Sequence, residues 1–239
     1  MRSALAFLTA IPVRACCDSP GRGALAAFTL VGLLIGVVWA GAGRASAALW
    51  GPSVAGAVVL AVDALVTAGL HLDAVADVAD AFGSRRSATE AKAIMREATI
   101  GALGAAALVI VLMVRFVFLA TLISEGSWSA LMVVPVTGRA AMVWSLGRAR
   151  RLEPDSIAAG MSRAASPGIV ALALLSAACI GALGRGPGGL VALVVATAAA
   201  EAWTRSFERR FAGLTGDGIG AAGMLGEIAA LGVLAARAV

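Results

Sequence analysis

Charge is scarce in this chain: only 14% of its 239 residues are Asp, Glu, Lys or Arg. A soluble domain carries about a quarter, so an ordinary water-facing surface is excluded. Cysteine is equally sparse. Cys16, Cys17 and Cys179 make neither a disulfide framework nor a metal site, and nothing argues for an oxidising compartment. No stretch rich in Ser, Pro or charge marks a linker, so a single domain over residues 1–239 is expected.

What remains is strongly apolar: 60% hydrophobic residues and a mean hydropathy of +0.94. Such a composition exceeds the needs of one water-soluble core and points to an all-α, polytopic membrane bundle. A span needs about 20 apolar residues. Seven segments approach or exceed that length, near 24–43, 47–70, 102–123, 127–146, 167–184, 187–202 and 219–236. The last three are short and rich in Ala and Gly, which suits close packing inside a bundle. The count is about seven, with five or six spans and a re-entrant segment as the alternative.

The basic residues assign a direction. Eighteen of the nineteen are Arg. In a soluble chain this would suggest nucleic acid; in an apolar chain it reads as the positive-inside bias, and no nucleic-acid partner is expected. With the N-terminus in the cytoplasm, fourteen basic residues fall on inner segments and three (Arg44, Arg185, Arg237) on outer ones. Arg115 and Arg139 lie within spans. The N-terminal residues faintly resemble a signal peptide, but Pro12 and Arg14 interrupt it. A short interfacial segment, with Phe7, Leu8 and Ile11 in the headgroup zone, is the expectation.

The chemistry is concentrated in His71-Leu-Asp-Ala-Val-Ala-Asp-Val-Ala-Asp80. At 100° per residue, Asp73, Asp77 and Asp80 fall within roughly 60° of one helical face. Like charges at this spacing repel, so a compensating cation is expected. A divalent metal with a phosphorylated substrate is the natural candidate. A solvated acidic stripe would mix Lys, Glu and Gln; this one holds three short acids and no other polar group. His71, the only histidine, points away from that face on a helix. It stands as a candidate ligand or base, with a structural role as the alternative.

Four other features bear on a site. In Ile94-Met-Arg-Glu-Ala-Thr-Ile-Gly-Ala-Leu-Gly104, a helix opens after glycine, where free N–H groups suit a phosphate. Arg85, Arg86, Lys92 and Arg96 are nearby phosphate partners, or else membrane anchors. Arg139 follows Pro135-Val-Thr-Gly, read as a helix interruption, and is the better functional candidate of the two intramembrane arginines; Arg115 pairs with an acid such as Glu227, and Asp63 is a further buried acid. Gly213-Leu-Thr-Gly-Asp-Gly-Ile-Gly220 offers Asp217 as a fourth ligand and backbone N–H groups to phosphate.

In these motifs the chain resembles the cobalamin 5′-phosphate synthase family, also called adenosylcobinamide-GDP ribazoletransferase. Phe7-Leu-Thr-Ala-Ile-Pro12, Val31-Gly-Leu-Leu-Ile-Gly36, Gly69 to Asp80, Ile94 to Gly101 and Gly213 to Ala221 are similar to family segments in the family's order. Departures are Ala74 and Ala81, where the family usually has Gly, and Glu97-Ala98-Thr99, where it has Asp-Ser-Arg. The resemblance implies transfer of adenosylcobinamide-GDP onto α-ribazole, or its 5′-phosphate, with release of GMP. It implies Mg²⁺ on Asp73, Asp77, Asp80 and Asp217, catalysis by the three clustered aspartates with His71, and phosphate contacts from Arg96, Arg139, Arg85 and Arg86. It further implies a place in the lipid of the prokaryotic plasma (inner) membrane; the charge count puts the active site of this multi-pass chain on the cytoplasmic side, and a homo-oligomer is left open. A CDP-alcohol or prenyl-type diphosphate enzyme is the alternative, but the longer aspartate spacing of the former is absent. A transporter would need its carboxylates near the midplane.

Overall fold

The computed structural model describes residues 1–13, 20–152 and 156–236. Arg14, Cys16, Cys17 and Arg237, used in the sequence reading, lie outside the described residues. Within them the chain forms α1 (Arg2–Leu8), α2 (Arg22–Leu25), α3 (Phe28–Thr67), α4 (Leu70–Gly83), α5 (Ala88–Ile94), α6 (Ala102–Ser124), α7 (Trp128–Arg148), α8 (Ile157–Ala164), α9 (Pro167–Arg185), α10 (Pro187–Phe211) and α11 (Gly216–Ala235). The only β-type pairing among the described residues is an isolated bridge between Leu152 and Leu214.

Among the described residues, six helical segments are long and apolar enough to cross a membrane: 22–67, 102–124, 128–148, 167–185, 187–211 and 216–235. The first is a hairpin. Gly51 takes φ 81° and ψ 174°, a conformation open to glycine, and Pro52 restarts the helix at the position proline prefers. The limbs then run antiparallel. A Cβ on Gly43 would stand 3.2 Å from the Val59 side chain, and Leu34 and Ile35 share a cavity wall with Leu65 and Val66. The chain is therefore a multi-pass membrane protein with seven apolar limbs. The first reversal falls at Gly51–Pro52, later than the expected break near residues 44–46. Arg44 is consequently part of the first limb, exposed, with its guanidinium 5.8 Å from the Trp128 ring centre.

The centre of the bundle is α7, which packs against α3, α9, α10 and α11. Residues 130–131 and 133–143 of α7 are buried without a break, as expected of a helix apolar on all sides. The expected interruption at Pro135 does not occur. The helix runs through it, and the Thr137 hydroxyl donates to the Val134 carbonyl at 2.7 Å.

The closest seam joins α3 to α7. A Cβ on Gly32 would lie 2.6 Å from the Pro135 carbonyl oxygen, and one on Gly36 2.5 Å from that of Met132. Gly32 and Gly36 are four apart on one face, the small-residue spacing that brings membrane helices into backbone contact. At the N-terminus, Leu8 is fully buried and Phe7 stacks on Phe28 at 6.0 Å. Leu8 thus belongs to the core rather than to the headgroup zone; Ile11 is 43% exposed. The reason is α1's docking against the α3 hairpin, where the Ala10 N–H donates to the Val66 carbonyl at 2.7 Å.

Gly36→Val forces α3 off α7, an overpacking that costs about 1–3 kcal/mol. We expect a lower unfolding temperature in detergent for this variant. Gly41→Ala, whose Cβ meets nothing within 4 Å, serves as the unaffected control.

Candidate active site

Two consecutive left-handed residues, Ala68 (φ 51°) and Gly69 (φ 66°), end α3 and turn the chain into α4. The face of α4 carrying His71, Ala74, Ala76, Val78 and Ala81 is buried. Asp73, Asp77 and Asp80 occupy the opposite, partly exposed face, as the spacing predicts. Burial, then the charges of Asp73, Asp217 and Asp80, push the Asp77 carboxyl up to about 6. Asp217, 140 positions away in sequence, thus acts on the same field. It sits in the first turn of α11, behind a cap in which Gly218 N–H donates to Thr215 Oγ1 at 3.1 Å.

The third aspartate has a structural partner that sequence reasoning missed. Asp80 accepts from the Gly101 N–H at 2.7 Å and the Gly104 N–H at 2.8 Å. A carboxylate from α4 therefore caps α6, satisfying donors otherwise left without intrahelical partners. The N–H groups expected to hold a phosphate are taken by Asp80. Glycine stands at 101 and 104 because a Cβ at either position would run into that carboxylate. A carboxylate has about four lone-pair sites, so capping leaves Asp80 able to accept further. Among the described residues, no three of His, Cys, Asp or Glu are gathered tightly enough to hold a metal ion by themselves.

The arginines divide. Arg85 (φ 53°) and Arg86 are exposed on the turn after α4. Arg86 lines a cavity of about 250 Å³ with Asp80, Glu97, Thr99 and Gly101, and its carbonyl accepts from Arg210 at 2.8 Å. Arg96 is exposed, and its charge acts on Asp217. Arg139 is elsewhere: it is 1% exposed and paired with Glu227 inside the bundle. This ion pair engages Arg139 inside the bundle, since a guanidinium buried among apolar helices requires a counter-charge.

Glu227 also accepts from Arg115 at 3.3 Å, and Arg115 reaches Asp63 at 2.8 Å. The pairing of Arg115 with Glu227 and the burial of Asp63 agree with the sequence reading. Gly138 makes the room: a Cβ there would overlap the Glu227 side chain. Burial, followed by the charges of Arg139 and Arg115, holds His71 well below its ordinary pKa. Its imidazole is neutral at pH 7.

Two further concavities have no signature in the sequence, because residues far apart in the chain build each. One, of about 150 Å³, is walled by α1, α4, α7, α8 and α11 and includes His71 and Asp217. The other, of about 350 Å³, is formed by Arg150, Arg151, Arg205, Glu208 and Arg209. There the Glu208 carboxylate accepts the Arg150 and Arg151 N–H groups at 2.6 and 2.9 Å.

A multi-pass helical bundle with a crowded carboxylate face at the end of a membrane hairpin defines the class, a membrane-embedded enzyme. Residues 1–235 match the family described as Cobalamin-5-phosphate synthase. Three relatives carry the name adenosylcobinamide-GDP ribazoletransferase. That of Rhizobium etli (strain CIAT 652) is 37% identical over 247 residues, covering 97% of this chain and 94% of the relative. Those of Geotalea daltonii and Roseiflexus sp. (strain RS-1) are each 32% identical, covering 98% and 97% of this chain and 95% and 87% of the relatives. No solved structure matches. The chain belongs to the cobalamin-5-phosphate synthase family, and is a transferase of cobalamin biosynthesis.

Glu227→Ala leaves Arg139 without its carboxylate and Arg115 with Asp63 alone. Breaking a buried ion pair from one side costs about 3–5 kcal/mol. We expect a large drop in unfolding temperature of the detergent-solubilised protein; an unchanged value would show that the network contributes nothing to stability.

Proposed function

We propose that this chain joins α-ribazole, or its 5′-phosphate, to adenosylcobinamide-GDP and releases GMP. The observation that carries the reading is the crowding of Asp77 by Asp73, Asp80 and Asp217, in a chain whose relatives are named for that transfer. We also place this face on the cytoplasmic side of the prokaryotic plasma (inner) membrane, because the segments flanking it carry most of the Arg residues.

In chemical terms, a ribose hydroxyl attacks the phosphoryl group that bears the corrinoid. A new P–O bond forms to the ribose, the P–O bond to GMP breaks, and the hydroxyl proton leaves to a base. Such transfer depends on positioning and charge neutralisation more than on covalent help from the protein. The donor set suits Mg²⁺: oxygen-only, mutually repelling, and spread too widely to cage an ion without oxygens from the substrate. Asp73, Asp77 and Asp217 would hold the ion, with the remaining lone pairs of Asp80. Bound Mg²⁺ supplies positive charge to the diphosphate and to the departing nucleotide.

The protein's own groups do the rest. Arg86 and Arg96, at the rim of the acidic face, contact phosphate oxygens, with Arg85 on the same exposed turn. Asp80 ties α4 to α6 and so fixes the direction of the carboxylate face. A carboxylate on that face takes the hydroxyl proton. His71 is not assigned this role, since its imidazole is buried on the other side of α4.

Asp77→Asn should lower turnover by at least about 100-fold while leaving the protein in the membrane, since removing one preorganised electrostatic group costs about 10²–10³. The measurement is GMP release from membranes given adenosylcobinamide-GDP, α-ribazole and Mg²⁺, with and without chelator. Near-wild-type turnover of the variant, or insensitivity to chelator, would overturn the metal assignment. Absence of GMP with either form of ribazole would overturn the transferase itself.

A further inference from the structure

The cavity of about 150 Å³ beside the acidic face has no role in the transfer as described so far. Its walls are Phe7, Met142, Ile157 and Met161 with other apolar groups, and its polar members are His71 and Asp217. Apolar cavities of this size accept a single aromatic ring system. A corrinoid is several times too large. Guanine fits by size, but its many donors and acceptors would be left unpaired against such a lining, at about 1–3 kcal/mol each. Thioether and aromatic side chains favour a flat, weakly polar ring instead.

His71 contributes its ring as a wall of the cavity: the side chain is 4% exposed, and its Nε2 is buried away from the cavity surface. Asp217 completes the geometry, because it lines this cavity and also acts on Asp77. Anything seated in the cavity is therefore adjacent to Asp217, whose charge reaches Asp77.

We propose that this cavity holds the planar heteroaromatic base of the acceptor nucleoside, packed against the His71 ring. The ribose attached to that base then emerges past Asp217 onto the acidic face, where its hydroxyl meets the diphosphate. His71 acts in acceptor recognition rather than in proton transfer. The inference rests on the reading of the acceptor as a ribazole-type nucleoside, and it assigns the choice of base to Phe7, Met142, Ile157 and Met161.

Two variants of the full-length protein in membranes test it. Ile157 is 53% exposed at the rim, so Ile157→Trp narrows the entrance without disturbing the core. Met161→Ala deepens the cavity. The readouts are KM for the acceptor, KM for adenosylcobinamide-GDP, and the ratio of kcat/KM for acceptors carrying dimethylbenzimidazole and unsubstituted benzimidazole. Ile157→Trp should raise the acceptor KM about ten-fold and leave the donor KM unchanged. Met161→Ala should shift the ratio about ten-fold toward the bulkier base, the usual worth of a methylene or two in an apolar pocket.

A binding measurement independent of turnover accompanies these: saturation-transfer NMR of free benzimidazole with the detergent-solubilised protein. A signal in the wild type that is lost in Ile157→Trp supports the site. GMP release with acceptor KM and base ratio unchanged in both variants, or a benzimidazole signal unaffected by Ile157→Trp, overturns the pocket while leaving the transferase intact. Benzimidazole binding at this cavity without GMP release from any ribazole form overturns the transferase and leaves the pocket.

Discussion

Two arginines and two carboxylates buried among apolar helices constrain everything else in this bundle. Asp63 comes from α3, Arg115 from α6, Arg139 from α7 and Glu227 from α11. None can be solvated where it lies, and each charge is tolerable only while its partner stays in place. Four helices are therefore fixed in depth and rotation against one another. The set carries two charges of each sign, so it adds no net charge to the membrane interior. Apolar packing between lipid-embedded helices is weakly specific, because lipid tails are as apolar as leucine. A paired ionic set of this kind favours one arrangement of the helices, although Arg115 Nε and Nη1 and Arg139 Nε and Nη2 have no hydrogen-bond partner among the described residues.

The acidic face inherits its position from that arrangement. With Glu227 on α11 held to α6 and α7, the first turn of α11 lies against α4. A Cβ on Gly220 would fall 2.7 Å from that of Ala74. Asp217, three residues before Gly220, is thereby carried to the aspartates of α4. A second tie, Asp80 to the amides of Gly101 and Gly104, holds α4 to the start of α6. The carboxylates are thus kept close despite their repulsion by bonds made on either side of them. Burial first, and then repulsion from Asp73, Asp217 and Asp80, raise the Asp77 carboxyl to about 6.

The parts of this structure legible in the sequence are those governed by local period or by overall charge. Spacings of four and three gave the acidic face, run length gave the apolar limbs, and the expense of an intramembrane charge gave Arg115 its partner. The parts that were not legible depend on tertiary approach. Nothing local distinguishes Asp80 from Asp77, yet one caps a helix more than twenty residues away. Arg139 and Arg115 look alike as lone charges in apolar runs, and only the room left by Gly138 shows that both converge on Glu227. Gly51-Pro52 is a different case, since a Gly-Pro pair is a recognised turn signal. Arg44, assigned by the charge count to the first outer loop, lies instead against Trp128 in the first limb.

The departures from the family pattern follow from the same contacts. Ala74 is accommodated where the family has glycine because its neighbour on α11 is Gly220, which leaves room for one methyl between the helices. The segment Glu97-Ala98-Thr99 lacks the arginine that the family pattern places at position 99. That segment lies in the turn between α5 and α6, and Glu97 and Thr99 line the same concavity as Asp80 and Arg86. A cation lost at 99 is therefore lost beside another. Arg86 is anchored there through its carbonyl to Arg210 on α10, and Arg96 stands just before the altered residues with its field on Asp217. Positive charge beside the acidic face is thus drawn from two turns, Arg86 before α5 and Arg96 after it.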